Sequence, residues 1–465
     1  MLTAHRVVDV RAAEDRVFAG SGGDDGTLMA RAARAVADHV LAVAPGADAI
    51  AVLVGPGNNG GDALFAAAHL ADAGRRVALC LLSDRVHAAG LAAAEAAGAH
   101  REESPAGFRV VVDGVFGIGA RPGLGGVAAQ WAHAVRDAFV VAVDVPSGID
   151  VDGGTLPGPA IRADHTLALG TAKIGLFAGP AAALAGQVTV ADIGLAPGAP
   201  ALEALEDADG PAFDRVVPGP TDHKYSRGVV GVHAGSDEYA GAAHLAVAGA
   251  QAGPAGMVRF VGTTDLSRRV VDRAPEVVAA PGRVQAWVIG PGGAADPEVV
   301  EAVLAEQVPL VADATALDRL PARFAVDALL TPHAGELARM LGVTRDEVEA
   351  DPIAHAIRAA SAWNATVLLK GARTLVASPD GRLRVNTSGT PWLGTAGAGD
   401  VLAGLAGSLL AAGLDAFDAG SVAAFVHGRS ADVLGDAPFV ARDLATVLPG
   451  VLGDFLAGSG RGGAA

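Results

Sequence analysis

Ala49-Ile50-Ala51-Val52-Leu53-Val54-Gly55-Pro56-Gly57-Asn58-Asn59-Gly60-Gly61-Asp62 is the stretch that decides the fold. Six apolar residues in a row read as a strand buried on both faces. The glycines that follow make a tight loop. The apolar run to about Ala73 then reads as a helix, with Gly74 in position to stop it. A buried strand that passes through a short loop into a helix is the building unit of a parallel sheet covered by helices.

The unit recurs on both sides of this stretch. Leu28, Met29, Ala32, Ala33, Val36, Val40 and Leu41 form the apolar face of a helix over 28–44. Short apolar runs predict strands at 76–82, 109–113, 139–144, 165–169 and 187–191. The alternation breaks down between about 195 and 220, where Pro197, Pro200, Gly210, Pro211, Pro218, Gly219 and Pro220 cluster. That places a domain boundary near residue 212, giving domains 1–212 and 213–465. A second alternating series predicts strands near 229–234, 257–261, 286–290, 308–313, 328–331 and 366–370. A hairpin over 374–385 turns at Asp380-Gly381, the final third is helical, and the tail from Gly458 to Ala465 reads as disordered. No sequence repeat links the halves. The fold class expected is α/β: two three-layer α/β/α domains.

Length and composition agree with two cores. The chain has 465 residues, of which 51% are apolar. A formal net charge of -17 with no basic stripe excludes a nucleic-acid surface and an anionic membrane as partners. It does not exclude bound nucleotides, since backbone amides hold phosphates without a basic surface. Cys80 is the single cysteine and sits in an apolar strand, so it reads as a buried thiol with no disulfide framework or zinc spacing around it. There is no signal-type apolar segment at the N-terminus. No apolar stretch approaches 18 residues without Gly, Pro or charge, so a soluble cytoplasmic protein is expected. Arginine is used almost throughout, with lysine only at 173, 224 and 370.

Gly55-x-Gly57-x-x-Gly60 satisfies a dinucleotide fingerprint, and Asp84 stands where a ribose-binding acid would. A nicotinamide-dependent dehydrogenase and a simple glycine-rich turn are both compatible with it. Asn58-Asn59-Gly60-Gly61-Asp62 adds more side-chain oxygens than a pyrophosphate needs. Two later strands end in Asp113, before Gly114-Val115-Phe116-Gly117-Ile118-Gly119, and in Asp144, before Val145-Pro146-Ser147. Parallel strands bring these ends to one edge, where oxygens of Asn59, Asp113 and Ser147 can ring a hard cation. Each residue taken singly also reads as a turn former or cap.

In the second half, Gly394-Thr395-Ala396-Gly397-Ala398-Gly399-Asp400 runs into an apolar helix. Glycine amides and the helix N-terminus make a phosphate cradle, with Asp400 beside it as a base; the plain alternative is a helix start with a first-turn acid. His223-Lys224-Tyr225 precedes the first strand of this half, and other strand ends carry Gly235-Ser236 with Tyr239, Gly290-Pro291-Gly292-Gly293, Thr331-Pro332-His333-Ala334-Gly335-Glu336 and Lys370-Gly371-Ala372-Arg373-Thr374. Alone, His333 reads as a capping or core histidine.

These motifs carry a resemblance. GPGNNGGD, VVDGVFGIG and VDVPSGID, with Arg11-Ala12-Ala13-Glu14 ahead of them, resemble the Rossmann-like NAD(P)HX epimerase domain over about 1–212. HKY, GSxxYxGA, GPG, TPHxGE, LKGxxT and GxGD resemble the ribokinase-like, ADP/ATP-dependent NAD(P)HX dehydratase over about 213–456. The first resemblance implies substrate binding by Asn58, Asn59, Gly60, Gly61 and Asp62, by Gly117, Ile118, Gly119, Ala120, Arg121, Pro122 and Gly123, and by Asp144. It implies potassium on Asn59, Asp113 and Ser147. Asp144 is the candidate proton shuttle at C6, with Lys173 either orienting it or holding a phosphate; a solvated loop charge is the plain reading of Lys173. The second implies hydrated-nicotinamide contacts from Ala242, Gly292, Gly293, His333 and Asp400. Its adenine nucleotide, ADP or ATP with Mg2+, falls to Lys370, Gly371, Ala372, Arg373, Thr374 and Gly399.

The implied activity is repair of hydrated NADH and NADPH: epimerisation at C6, then phosphorylation of the C6 hydroxyl and elimination of phosphate. A homo-oligomer is expected. Departures from the family pattern are Ala63, Gly293-Ala294 and Pro391-Trp392. The rival readings are a ribokinase-like small-molecule kinase fused to a dinucleotide-binding domain, and an N-terminal module that binds without catalysis.

Overall fold

The computed structural model describes residues 1–21, 26–293 and 296–458. Ala294 and the predicted tail beyond Gly458 therefore lie outside the described residues. The chain forms two compact units: Thr3–Leu202, and Met1–Leu2 together with the chain from Glu203 onward. Residues 203–212, read from sequence as part of the first domain, thus pack with the second. The reason is local: Glu203 pairs with Arg384, Leu205 is buried in the C-terminal core, and Gly210 packs against the Phe455 backbone.

In the N-terminal unit, β1 (Leu2–His5) leads into α1 (Val7–Ser21) and α2 (Thr27–Val43), followed by β2 (Ala49–Val54) and α3 (Asn58–Asp72). Then come β3 (Arg76–Leu81), α4 (Ala88–Ala96), β4 (His100–Glu102), β5 (Val110–Gly114), α5 (Gly126–Ala134), β6 (Phe139–Val143), β7 (His165–Leu169), β8 (Ala172–Lys173) and β9 (Gln187–Ala191). The seven-stranded sheet runs β4-β3-β2-β5-β6-β7-β9, every pair parallel. Strand periodicity divides its faces. Ile50, Val52 and Val54 join α2 and α3 in one core, while Ala51 and Leu53 join Trp131 of α5 and the buried Cys80 in another. Strand order reverses between β2 and β5, and the loops after those two strands open the crevice where such sheets bind ligands.

The C-terminal unit repeats the plan with a longer sheet. It contains β10 (Leu202–Ala204), β11 (Val229–His233), α6 (Ala240–Ala252), β12 (Met257–Phe260), α7 (Thr264–Arg273), β13 (Ala286–Ile289) and α8 (Pro297–Ala305). β14 (Leu310–Ala312), β15 (Ala328–Leu330), α9 (Ala334–Leu341), α10 (Arg345–Ala350), α11 (Pro352–Trp363), β16 (Thr366–Leu369), β17 (Thr374–Ala377) and β18 (Leu383–Asn386) follow. The chain closes with α12 (Ala398–Ala411), α13 (Ala416–Leu434) and α14 (Ala441–Leu456). Strand order is β12-β11-β13-β14-β15-β16-β17-β18-β10, with β17 alone antiparallel to its neighbours. Its β17–β18 hairpin turns at Gly381, φ +94, as the Asp-Gly pair requires. Again order reverses, here between β11 and β13. Helix α12 packs on α6 so closely that Gly249 and Gly404 have no room for a side chain: a Cβ would stand 2.1 Å from Val401 O and 2.0 Å from Ala246 O. Among the described residues no helix is long and apolar enough to cross a membrane.

Candidate functional sites

The N-terminal crevice is a cleft of about 710 Å³ bounded by α1, the start of α3, the loop after β5 and the ends of β6 and β7. Its floor is set by glycines that sterics demand. A Cβ on Gly55 would fall 1.7 Å from Val115 O, and one on Gly60 2.0 Å from Gly55 O. Helix α3 begins at Asn58, so the NNGGD run forms its first turns rather than a preceding loop. Asn58, Asn59 and Asp62 line the cleft. Gly60 and Gly61 sit behind them, Gly61 against Met29 and His87. Gly117, Ile118, Gly119, Ala120, Arg121 and Gly123 form the facing wall; Pro122 of the same loop is not part of the lining.

Asp144 directly follows β6 with φ +68, a left-handed conformation that few non-glycine residues adopt. The bend is held from both sides: its N–H donates to Leu167 O at 2.9 Å, and its Oδ1 accepts from Leu169 N–H at 2.9 Å. The same Oδ1 forms an ion pair with Lys173 Nζ, which also donates to Leu169 O at 3.0 Å. Lys173 is 1% exposed and paired with Asp144, so the solvated-charge reading fails. Glu14 of α1 and Asp62 share the cleft. Burial first, and Asp144 second, push both carboxyls above their ordinary range.

Asp113 and Ser147 lie enclosed beneath the lining. Asp113 accepts from Ser147 Oγ at 2.7 Å, from Ser147 N at 2.8 Å and from Val115 N at 3.2 Å. Burial nevertheless raises its carboxyl to about 6, the hydrogen bonds opposing. Asn59 packs within 3.3 Å of where a Gly117 Cβ would be, and its Nδ2 has no hydrogen-bond partner. Asp113 and Ser147 are thus joined at the β5 and β6 ends, with Asn59 against the loop that follows β5.

In the C-terminal unit the predicted loops converge in the same way. Gly290, Gly292 and Gly293 all have positive φ, and a Cβ on Gly292 would fall 2.2 Å from that of Ala242. Ser236 Oγ donates to Gly292 O at 3.0 Å, tying the β11 and β13 loops together. Lys370 N donates to Pro332 O at 2.8 Å, setting His333 and Lys370 side by side. Gly371 and Ala372 continue into the turn before β17, where Thr374 Oγ1 donates to Gly371 O at 3.3 Å. Arg373 is tied to Thr387 O at 3.1 Å.

Gly397, φ +89, precedes α12, which puts Gly399 and Asp400 in its first turn. A Cβ on Gly399 would lie 3.5 Å from Lys370 Nζ. Lys370 Nζ binds Asp313 Oδ1 at 2.7 Å and stands 3.8 Å from Glu336. Burial works against its ammonium, yet Asp313, Glu336 and Asp400 outweigh it and raise the pKa. Asp400 is pushed up to about 6, by burial and then by Asp313, with Lys370 opposing. His333 caps α9: its Nδ1 accepts from Gly335 N at 3.0 Å and Glu336 N at 3.2 Å, its Nε2 stands 3.4 Å from Glu336 Oε1, and the ring stays exposed.

The model for NAD(P)H-hydrate dehydratase matches residues 230–449, and that for the YjeF-related protein N-terminus matches 25–175. A bifunctional NAD(P)H-hydrate repair enzyme of Mycobacterium leprae is 41% identical over 453 residues, covering 92% of this chain and 93% of that one. The chain belongs to the bifunctional NAD(P)H-hydrate repair enzyme family. The Corynebacterium glutamicum member is 35% identical over 87% of this chain and 86% of its own. An ADP/ATP-dependent NAD(P)H-hydrate dehydratase of Bacillus subtilis, crystallised with ATP and Mg2+, is similar over 51% of this chain and 93% of its own, at 29% identity and TM-score 0.48.

Several residues that the structure brings to the two crevices were not singled out from the sequence. Asp313 ends its strand as Asp113 and Asp144 end theirs, a signal that was present and unused. Glu336 and Glu14 stood inside quoted motifs, but nothing in the chain order said that they reach Lys370 and the Asp144 cleft.

Proposed function

We propose that each crevice carries one of the two repair steps, with Asp144 and Asp400 as the reacting carboxylates. In the N-terminal cleft Asn58, Asn59, Asp62 and the 117–123 loop hold the hydrated dinucleotide, and Asp144 handles the C6 hydroxyl proton. Lys173 fixes the Asp144 rotamer and compensates its charge. Asp113, Ser147 and Asn59 fit potassium: the set is all oxygen, and the enclosed Asp113 carboxyl has no cationic side chain among its hydrogen-bond partners. An ion held by these oxygens would supply positive charge beside the ends of β5 and β6.

In the C-terminal crevice Ala242, Gly292, Gly293 and the exposed His333 ring receive the nicotinamide end. Lys370, the 371–374 turn and the Gly399 amide receive ADP or ATP. Asp400 takes the C6 hydroxyl proton, the oxygen attacks the terminal phosphoryl group, and the α12 amides with Lys370 stabilise the charge in transfer. Phosphate then leaves C6 with its bonding pair, driven by the N1 lone pair, and loss of a C5 proton restores the reduced ring. Among the described residues no cluster of three or more His, Cys, Asp or Glu is placed to hold a metal. Mg2+ therefore fits as a partner of the nucleotide phosphates, with Asp313 and Glu336 as the carboxylates at hand; it supplies charge neutralisation.

The observation that carries this reading is the desolvated Asp400 in the first turn of α12, beside Lys370 and the glycine loops. Purified protein given ATP or ADP and a mixed-epimer pool of hydrated NADH should regain 340 nm absorbance. Absence of ATP- or ADP-dependent recovery would refute the phosphoryl-transfer assignment.

A further inference from the structure

We propose that Glu14 is the general acid of the epimerase cleft, acting opposite Asp144. This deepens the epimerase reading of the same site and rests on it. Asp144 cannot readily serve as both acid and base, because its Oδ1 is committed to the Lys173 ammonium and the Leu169 N–H. Exchange of the C6 configuration by ring opening needs two proton positions. One group removes the hydroxyl proton while another protonates N1 as the C6–N1 bond breaks.

Glu14 is placed for the second task. It projects from α1, a wall of the cleft formed by a different element from the β6 and β7 ends that hold Asp144 and Lys173. It is half-buried, so it reaches both the cleft and solvent. Arg11, one turn earlier, extends to the glycine-rich wall, where a Cβ on Gly119 would lie 3.1 Å from its Nη2. That arginine is a ready anchor for a phosphate, which would set the nicotinamide end deeper, towards Glu14. The groups acting on Glu14 are Asp144, Lys173, Arg11 and Asp15, with Asp62 beside it in the cleft. Burial and Asp144 raise the Glu14 pKa, so it holds a proton at higher pH than an ordinary glutamate. Two carboxyls from different elements in one site, with the protonated form favoured at Glu14, is an arrangement that separates acid from base.

The step balances. Asp144 takes the C6 hydroxyl proton, a C6=O bond forms, the C6–N1 pair moves to N1, and N1 takes the Glu14 proton. Rotation about C5–C6 turns the other aldehyde face to N1. N1 then returns its proton to Glu14 and attacks C6, and Asp144 reprotonates the oxygen.

The test uses the full chain and pure 6R hydrated NADH, following conversion to the 6S epimer by chromatography without nucleotide. Glu14→Gln should lower kcat for epimerisation by about 100-fold or more, leave KM within about threefold, and abolish the alkaline limb of the wild-type pH profile. Glu14→Asp should restore part of the rate and the limb. Nucleotide-dependent dehydration of the 6S epimer, unchanged in both variants, reports that the chain is folded. Wild-type kcat and an intact alkaline limb in Glu14→Gln would overturn the proposal. So would a loss that moves KM alone, or a limb that disappears in Asp62→Asn instead. Failure of the wild-type chain itself to epimerise would overturn the site reading beneath it.

Discussion

Lys173 and Lys370 stand in comparable places in the two units, each near the carboxyl end of a strand and each ion-paired with an aspartate from another strand end. The third lysine, Lys224, lies over the Tyr225 ring at 5.0 Å. The difference lies in which aspartate is compensated. In the N-terminal crevice the ammonium holds Asp144, the proposed reacting group. In the C-terminal crevice it holds Asp313, and Asp400 is left to be raised to about 6 by burial and by Asp313. One arrangement fixes a charge in place. The other poises a base near neutrality, where a carboxylate is both available and strong enough to take a hydroxyl proton.

The largest expected effect comes from removing either reacting group. Asp400→Asn should cut dehydration of the 6S epimer by about 1,000-fold or more and leave epimerisation intact, while Asp144→Asn should do the reverse. Chromatographic assay of each step separates them. Equal loss of both activities in either variant would break the division of labour between the units.

Next comes the stability contrast between the lysines. Lys173→Met strands a buried carboxylate and should cost about 3–5 kcal/mol of N-terminal-unit stability in urea unfolding. Lys370→Met should cost less, because its side chain is 21% exposed against 1% for Lys173. Its main effect should be a raised nucleotide KM. A larger stability loss at 370 than at 173 would contradict the burial argument.

The pH profiles sharpen the comparison further. As a base, Asp400 works when ionised, so dehydratase kcat/KM should fall as pH drops through about 6. Asp313→Asn removes a negative neighbour and frees Lys370, and both changes favour the Asp400 anion. The acid limb should therefore move to lower pH. A limb that stays in place would mean that it does not belong to Asp400.

The smallest effect concerns the enclosed oxygens. Potassium at 100-fold its Kd should stabilise the wild-type N-terminal unit by about 2.7 kcal/mol, and Asp113→Ala should abolish that gain in a melting experiment with a choline salt as control.

Much of this was legible from the chain. The strand at Ala49–Val54 and the strands at His165–Leu169 and Gln187–Ala191 emerge at their predicted residues, because runs of apolar residues bounded by glycine leave little choice. β1, β4, β8 and β10 were missed: they have two to four residues each and exist through pairing with distant segments, as Ala4 pairs with Ala172. The alignment of strand ends on one edge followed from parallel topology, which is why Asn59, Asp113 and Ser147 were named together. What chain order does not encode is the reach of a side chain across a crevice. Glu14 and Glu336 became visible only when α1 and α9 were placed. The boundary followed Glu203 into its pairing with Arg384 and Leu205 into the C-terminal core, packing that the clustered prolines do not signal.

The most direct test of the account is 340 nm recovery with ATP from separately prepared 6R and 6S hydrated NADH, using wild type, Asp144→Asn and Asp400→Asn. Wild type should recover both pools. Asp144→Asn should recover only the 6S pool at speed, and Asp400→Asn neither. Full recovery by Asp400→Asn, or rapid recovery of the 6R pool by Asp144→Asn, would contradict it.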